Sequence, residues 1–498
     1  MLRSLTIEPA GDRWADLITV SQKERAAHTL LERPLSEWIA LTRRELLASS
    51  APCIIATGHQ SAFWHPGILA KYFALDACAA TLAPPAACLE LVVDQDDNDP
   101  LSLTLPMSPL AAPDALNLHD LALGPSILPD PSDIPTGLRP PSDPFDPFPL
   151  PPDARPAGTS VSEGLRTMCA ALYARRLAPS LALQVALAGA QLRGHADLTA
   201  QPSASLLFAS PSQPPRFVLP SSHLTSSSLW TALVLTARRD PLRLHHLYNH
   251  AVAAHPDAGV APLARIDGDV ELPFWVIDES SALDGPPRRI RATASHLSSS
   301  PHALWPRGIF LTGFTRLVLC DLFIHGTGGA RYDLVTERLF RDWLNVSLAP
   351  ATLVTATVTL DLGEATATAA DLARASWLAH QVRFDFGAVR APGLPALGSD
   401  ELATLQKQRA NLLDHIASLP RRSAQRSASF HQLHELRRAA NAGPLAPRIQ
   451  AADALVTSVQ ARLARRAILE ARDWAFPLYP ASDISALKLA VTNAFQPR

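Results

Sequence analysis

Cys53-Ile54-Ile55-Ala56-Thr57-Gly58-His59-Gln60-Ser61-Ala62-Phe63-Trp64-His65-Pro66-Gly67 opens the stretch whose reading decides the fold. Cys53–Ala56 is a short apolar run of strand type, broken at Thr57-Gly58. From Pro66 to about Leu82 the pattern turns helical, with Ile68, Leu69, Tyr72, Phe73 and Leu75 at helix spacing. Pro66 suits a first helical turn, where a missing N–H does no harm. A second apolar run, Leu89-Glu90-Leu91-Val92-Val93, ends in Asp94-Gln95-Asp96-Asp97-Asn98-Asp99.

Strand, helix and strand within about 45 residues predict a βαβ unit with parallel strands. The C-terminal ends of those strands then share one sheet edge, where open α/β sheets bind ligands. The His59–His65 loop and the Asp94–Asp99 turn are expected to face one crevice. The helix at Pro66 is expected to offer it free N–H groups and about half a positive charge. One side suits phosphate or carboxylate. The other suits a cation, an amine or a metal.

At 498 residues the chain exceeds one ordinary core, so two or three domains are expected. Net charge is −2, which implies no general attraction to nucleic acid or to an anionic membrane. No run of about 20 uncharged apolar residues predicts a membrane span. The start, Met1-Leu2-Arg3-Ser4, lacks the apolar segment of a signal peptide. Five scattered cysteines without a Cys-x-x-Cys pair fit a reducing cytoplasm and argue against disulfides or structural zinc. Lysine is confined to Lys23, Lys71, Lys407 and Lys488, which singles out Lys71, one turn inside the helix. The ordinary reading of such a residue is a solvated head on a packed stem.

Residues 1–395 read as an α/β core, with residues 1–50 a helical cap and a Pro-rich surface excursion at about 100–157. Ser205–Phe208 and Pro215–Leu219 look like strands, and Asp240-Pro241 starts a helix. Leu272–Asp278 reads as a buried strand, turning at Asp284-Gly285 towards a partner at Arg288–Ala294. Phe310–Phe323 is apolar enough for a buried helix and stops at Ile324-His325-Gly326-Thr327-Gly328-Gly329-Ala330-Arg331-Tyr332-Asp333. A Gly-rich turn opening a helix can cradle phosphate, or can be a plain tight turn. Residues 396–475 repeat apolar positions at three and four and read as an antiparallel helical arm, a coiled coil in the limit. Residues 476–498 return to the core.

Three stretches together resemble the cysteine-adding enzyme family of bacillithiol biosynthesis. That family carries a Thr-Gly-Gln-Gln loop ending in Gly-Pro; here Thr57-Gly58-His59-Gln60 ends as Pro66-Gly67. Its Glu-Asp-His-Asp stands here as Asp96-Asp97-Asn98-Asp99. Its Gly-Gly-Pro-Gly-Glu, with Tyr three residues on, is similar to His325–Gly329 with Tyr332. The resemblance implies a Rossmann-like core with a coiled-coil arm that dimerises, and a ligase that joins cysteine to an amino-sugar conjugate. The exchanged acidic motif and the added His59 and His65 point to a diverged branch with its own substrate. His65-Pro66-Gly67 also resembles the start of the His-x-Gly-His motif of nucleotidyltransferases, with Ile68 in the fourth place.

The expected catalytic residues are therefore His59, His65, Asp96, Asp97 and Asp99, with one carboxylate as general base for a substrate amine. Thr57, Gly58, Gln60, Gly67, Lys71, Asp94, Asn98, His325, Gly326, Gly328, Gly329, Arg331 and Tyr332 are expected to bind substrate. Gly328 is read as a position where no side chain fits. No metal is assigned: His246 and His250 stand i, i+4, but no Glu follows the first His. No Gly-x-Ser-x-Gly elbow supports serine hydrolysis. The leading expectation is a cytoplasmic, dimeric ligase joining an amino acid to an amine-bearing small molecule. The alternatives are a nucleotidyltransferase-like enzyme, which makes a nucleotide the candidate cofactor, and a non-catalytic dimeric scaffold.

Overall fold

The computed structural model describes residues 1–111, 115–125, 132–146, 148–195, 215–278, 286–362 and 367–496. The strand expected at Ser205–Phe208 and the turn at Asp284-Gly285 lie outside them. The chain is mixed α/β and divides into two compact units. The first comprises Met1–Met107, Leu118–Leu360 and Arg472–Arg498, and the second Ser108–Asn117 and Asp361–Ala471. Among the described residues no helix is long and apolar enough to cross a membrane.

Six strands form the main sheet of the first unit: β1 (Leu2–Glu8), β2 (Ile54–Gln60), β3 (Ala87–Val93), β4 (Arg216–Pro220), β5 (Leu322–His325) and β6 (Ala351–Val358). Their spatial order is β1-β6-β5-β2-β3-β4. β2 to β6 pair in parallel, with Ile54 opposite Ala87, Leu322 opposite Ile55 and Phe323 opposite Ala351. β1 closes the edge antiparallel to β6, so the sheet is mixed. Ile54, Ile55, Ala56 and Leu89 have no exposed surface. Strands covered on both faces read as unbroken apolar runs, which is how β2 and β3 read.

Helix α1 (Pro66–Thr81) joins β2 to β3, as the βαβ reading expected. Its Leu69, Tyr72, Phe73 and Leu75 are all buried. Helix α2 (Thr327–Leu344) follows β5 and buries Val335, Leu339, Phe340 and Trp343. A smaller sheet pairs Asp269–Asp278 with Arg288–Thr293 on one side and Leu304–Pro306 on the other.

Three expectations need correction. Residues 1–50 are not helical throughout: Leu2–Glu8 is the edge strand, ahead of helices Trp14–Ala26 and Leu35–Leu47. Its partner lies about 350 residues away, beyond any local signal. The Phe310–Phe323 run is not one helix. It divides into a helix at Gly308–Phe314, a π-turn at Thr315–Leu319 and strand β5. Buried Arg25 and Arg43 bind the carbonyls of Leu317, Val318 and Cys320, and Asp321 accepts from the Ile54 N–H at 2.8 Å. These contacts end the helical stretch and seat β5 beside β2. An apolar run alone cannot distinguish buried helix from buried strand. The 100–157 stretch is not a free excursion. It contains strands Ser102–Pro109, Asn117–Ala122 and Ala154–Pro156, and Ser142 exchanges backbone bonds with the buried Gln184 amide.

The second unit is helical, with Ala369–Val382, Ser399–Ser418, Ala424–Ala442 and Ala446–Glu470. It packs Leu378 and Val382 against Ala452, and Phe386 and Leu405 against Ala440 and Leu445.

Candidate functional site

From β2 the chain winds through β3 and β4 to one side, then returns to place β5 and β6 on the other. The β2–β5 junction is thus the point where the winding reverses, the place where open α/β sheets take ligands. Thr57 Oγ bonds the Ile324 carbonyl at 2.8 Å across it. That side chain is fully buried, so Thr57 ties the two strands together rather than facing a ligand. Beyond the strand ends lies a cavity of about 840 Å³. This is room for a metabolite. Gly58, His59, Gln60, His65, Gly67, Lys71, Asp96, His325, Gly326, Gly328, Gly329 and Tyr332 all line it. Asp94, Asp97, Asn98, Asp99 and Arg331 do not.

Lys71 departs most from its ordinary reading. It is 3 % exposed. Its ammonium bonds the Gly58 carbonyl at 2.9 Å and forms no ion pair among the described residues. Burial pushes its pKa down to about 7. At neutral pH the amine is about half charged.

The three imidazoles have different tasks. His65 is the cap of α1: its Nδ1 accepts from the Gly67 N–H at 3.0 Å. Its carbonyl takes the N–H groups of Ile68 and Leu69. Pro66 has no N–H, so the first turn of α1 has no free donor. The expected anion site at that helix start is already occupied by His65. Burial, then Arg472, holds the His65 ring below the usual imidazole range. His59 packs edge-on to Trp64 with centroids 6.0 Å apart, and burial followed by nearby Lys71 pushes it down to about 3. His325 is 3 % exposed, and its Nε2 lies 3.0 Å from Asp333 Oδ2. Arg316 pairs with the same carboxylate. Burial lowers the His325 pKa despite the pull of Asp333. A neutral ring that donates from Nε2 keeps Nδ1 as an acceptor. Nδ1 has no protein partner among the described residues. It sits beside Gly329, where an added Cβ would come within 2.2 Å.

The acidic turn is held internally. Asp94 is buried and accepts from Ser221 Oγ at 2.7 Å and the Ser222 N–H at 2.9 Å; burial raises its pKa against those bonds. Asp97 pairs with Arg289 and accepts from the Asp133 N–H. Asn98 donates to the Ser61 carbonyl, and Asp99 caps the Leu101 N–H. Asp96 reaches the cavity, but Gln60 and Arg289 already bond it. Arg289 also holds the Gln95 carbonyl at 2.6 Å and stacks over Trp275. An internal guanidinium thus stands where the sequence suggested a cation, an amine or a metal from outside.

Comparison with known proteins finds no family model and no curated protein that matches this chain.

The Gly-rich loop is the start of α2, with Gly326 as N-cap and no side-chain cap. Gly328 has open space around it, whereas Gly329 has the His325 ring against it. The position intolerant of a side chain is therefore Gly329, not Gly328. Burial, then Asp333, raises the Tyr332 hydroxyl to about 12, so it is a donor at neutral pH. Arg331 is exposed. Sequence reasoning missed Arg307, Thr312, Thr327 and Arg472 in the lining, and Asp333 and Arg289 behind it. Arg307 pairs with Glu271. Arg472 bonds Thr357 and is exposed. No local motif marks these arginines. Asp333, eight residues after His325, could have been found as its orienting carboxylate. Among the described residues no three His, Cys, Asp or Glu side chains converge as a metal would need.

Proposed function

We propose that the first unit is a Rossmann-like catalytic core, and that the protein is a ligase-like enzyme joining an amino acid to an amine-bearing small molecule. In this reading it is a diverged relative of the cysteine-adding enzymes of bacillithiol biosynthesis. One observation carries the proposal. The Thr57–Gly67 loop, Asp96 and the His325–Tyr332 segment lie up to about 270 residues apart, yet residues from all three line one cavity. His325 supplies the chemistry such a reaction needs. With Nε2–H given to Asp333, its free Nδ1 takes the proton from an incoming amine. This moves the general-base role from the acidic turn, whose carboxylates are already paired. Condensing a carboxylate with an amine in water requires activation, so a nucleotide is the cosubstrate this reading calls for. The uncapped start of α2 also favours the second reading, a nucleotidyltransferase-like enzyme. The free state of all five cysteines supports a reducing cytoplasm. Trp377 and Phe430, exposed on the helical unit, support dimerisation through a coiled-coil arm. Metabolite comparison between a deletion strain and its parent tests the function. An amine-bearing precursor should accumulate and its conjugate should vanish; unchanged pools of both would refute the ligase.

A further inference from the structure

We propose that the cavity binds the phosphoryl oxyanion of a small-molecule substrate at the start of α2, between the N–H groups of Thr327, Gly328 and Gly329 and the Lys71 ammonium. The site rests on the reading of the cavity as the substrate site. Three observations place it at α2 rather than α1. The first turn of α1 is closed by His65, whereas α2 has no side-chain cap. Its first bond back to the cap is from the Ala330 N–H to the Gly326 carbonyl, at 3.1 Å. The N–H groups of Thr327, Gly328 and Gly329 therefore have no partner among the described residues. They carry about half a positive charge into the cavity.

The second observation is Lys71. It is more than nine-tenths buried, lines the cavity and has no counter-charge among the described residues. Its stem passes Gly326, where an added Cβ would lie 3.8 Å from Lys71 Cδ. A buried ammonium is strongly disfavoured unless it is paired, and an oxyanion at α2 would pair it. The third is space. Gly328 has nothing within 4 Å of an added Cβ.

The groups facing Lys71 favour an anion. Burial lowers the pKa of His59 from β2, His65 ahead of α1 and His325 from β5, which disfavours their charged forms. Arg472, from the C-terminal segment, adds a positive charge. Among the described residues Asp96 is the one carboxylate in the lining, and it is already paired. With its free pKa at about 7, Lys71 is mostly neutral at pH 8. Binding a dianion charges it, so about 0.9 proton enters per anion at pH 8 and about 0.1 at pH 6. Affinity then falls about tenfold per pH unit above 7.

Calorimetry on the full chain tests this, with sulfate as probe because it stays a dianion throughout that range. Titrations at pH 8 in two buffers of different ionisation heat should show close to one proton taken up per sulfate, and at pH 6 almost none. Lys71→Met should abolish the uptake and weaken sulfate at least tenfold, with a melting temperature no lower than wild type. ATP tighter than sulfate identifies a nucleotide as the source of the phosphoryl group. Glucose 6-phosphate tighter than sulfate identifies a sugar phosphate. Neither tighter refutes a phosphoryl substrate. No sulfate binding, or binding undiminished in Lys71→Met, overturns the site; binding without proton uptake at pH 8 overturns the charging of Lys71 by the anion. Proton-coupled binding in a protein whose deletion leaves metabolite pools unchanged would keep the site and remove the ligase.

Discussion

Replacing Lys71 with Met should make the protein more stable, and by an amount that depends on pH. The side chain is 3 % exposed, and burial takes its pKa from 10.5 to about 7. At 1.36 kcal/mol per unit this corresponds to about 5 kcal/mol against burying the charged form. Methionine fills a similar volume and removes that cost. It also leaves the Gly58 carbonyl without its donor, which returns about 1 kcal/mol. The net gain at pH 6 is about 3–4 kcal/mol. The folded pKa lies below the unfolded value, so between pH 7 and 10.5 the unfolded chain binds more protons. Wild-type stability must then rise with pH across that window. The gap between variant and wild type should shrink by about 1.4 kcal/mol per pH unit above 7. Urea unfolding followed by tryptophan fluorescence reads it directly. Eight of the nine tryptophans lie in the first unit, and Trp377 is the exception. A variant equal to or less stable than wild type at pH 6, or a gap that does not change with pH, would refute the reasoning.

Further outcomes follow from the same geometry. Gly329→Ala should displace the His325 ring and cost about 1–3 kcal/mol in denaturant unfolding. Gly328→Ala, with open space around it, should be neutral or gain up to about 1 kcal/mol. Arg289→Ala should release the acidic turn and lower stability by about 1–3 kcal/mol, because it strands the Gln95 carbonyl and two carboxylates. Asp97→Asn, at a carboxylate 35 % exposed, should stay within about 1 kcal/mol of wild type. Light scattering on the full chain should give the mass of a dimer, and deleting 400–474 behind a short linker that of a monomer; a monomeric full chain would remove the dimer from the account.

The β2-α1-β3 unit was legible because everything that forms it is local. Two apolar runs, Pro66 and a helix-spaced stripe lie within one window of the chain. β5 was hidden inside an apolar run that fits helix or strand equally well. Only Asp321, Arg25 and Arg43, brought together by the fold, decide where that run divides. β1 and β6 depend on each other across the whole first unit. In the site, the glycine loop and the His loop could be found from their residue types. Their roles could not. His65 reads as a ligand-facing imidazole until its Nδ1 is seen on the Gly67 N–H. The acidic turn reads as a cation site until Arg289, some 190 residues on, is seen to fill it. Lys71 reads as a surface residue, because burial is set by strands and loops that pack on α1 from elsewhere.

The measurement that reaches the central claim most directly is complementation of the deletion strain with wild type and with His325→Ala, reading the amine-bearing precursor. If the cavity at the β2–β5 junction carries the chemistry, wild type clears the precursor. His325→Ala then leaves it accumulated, although the variant is expressed and keeps the wild-type circular-dichroism spectrum. Clearance by His325→Ala at the wild-type rate would mean that the reaction is not carried out by this cavity.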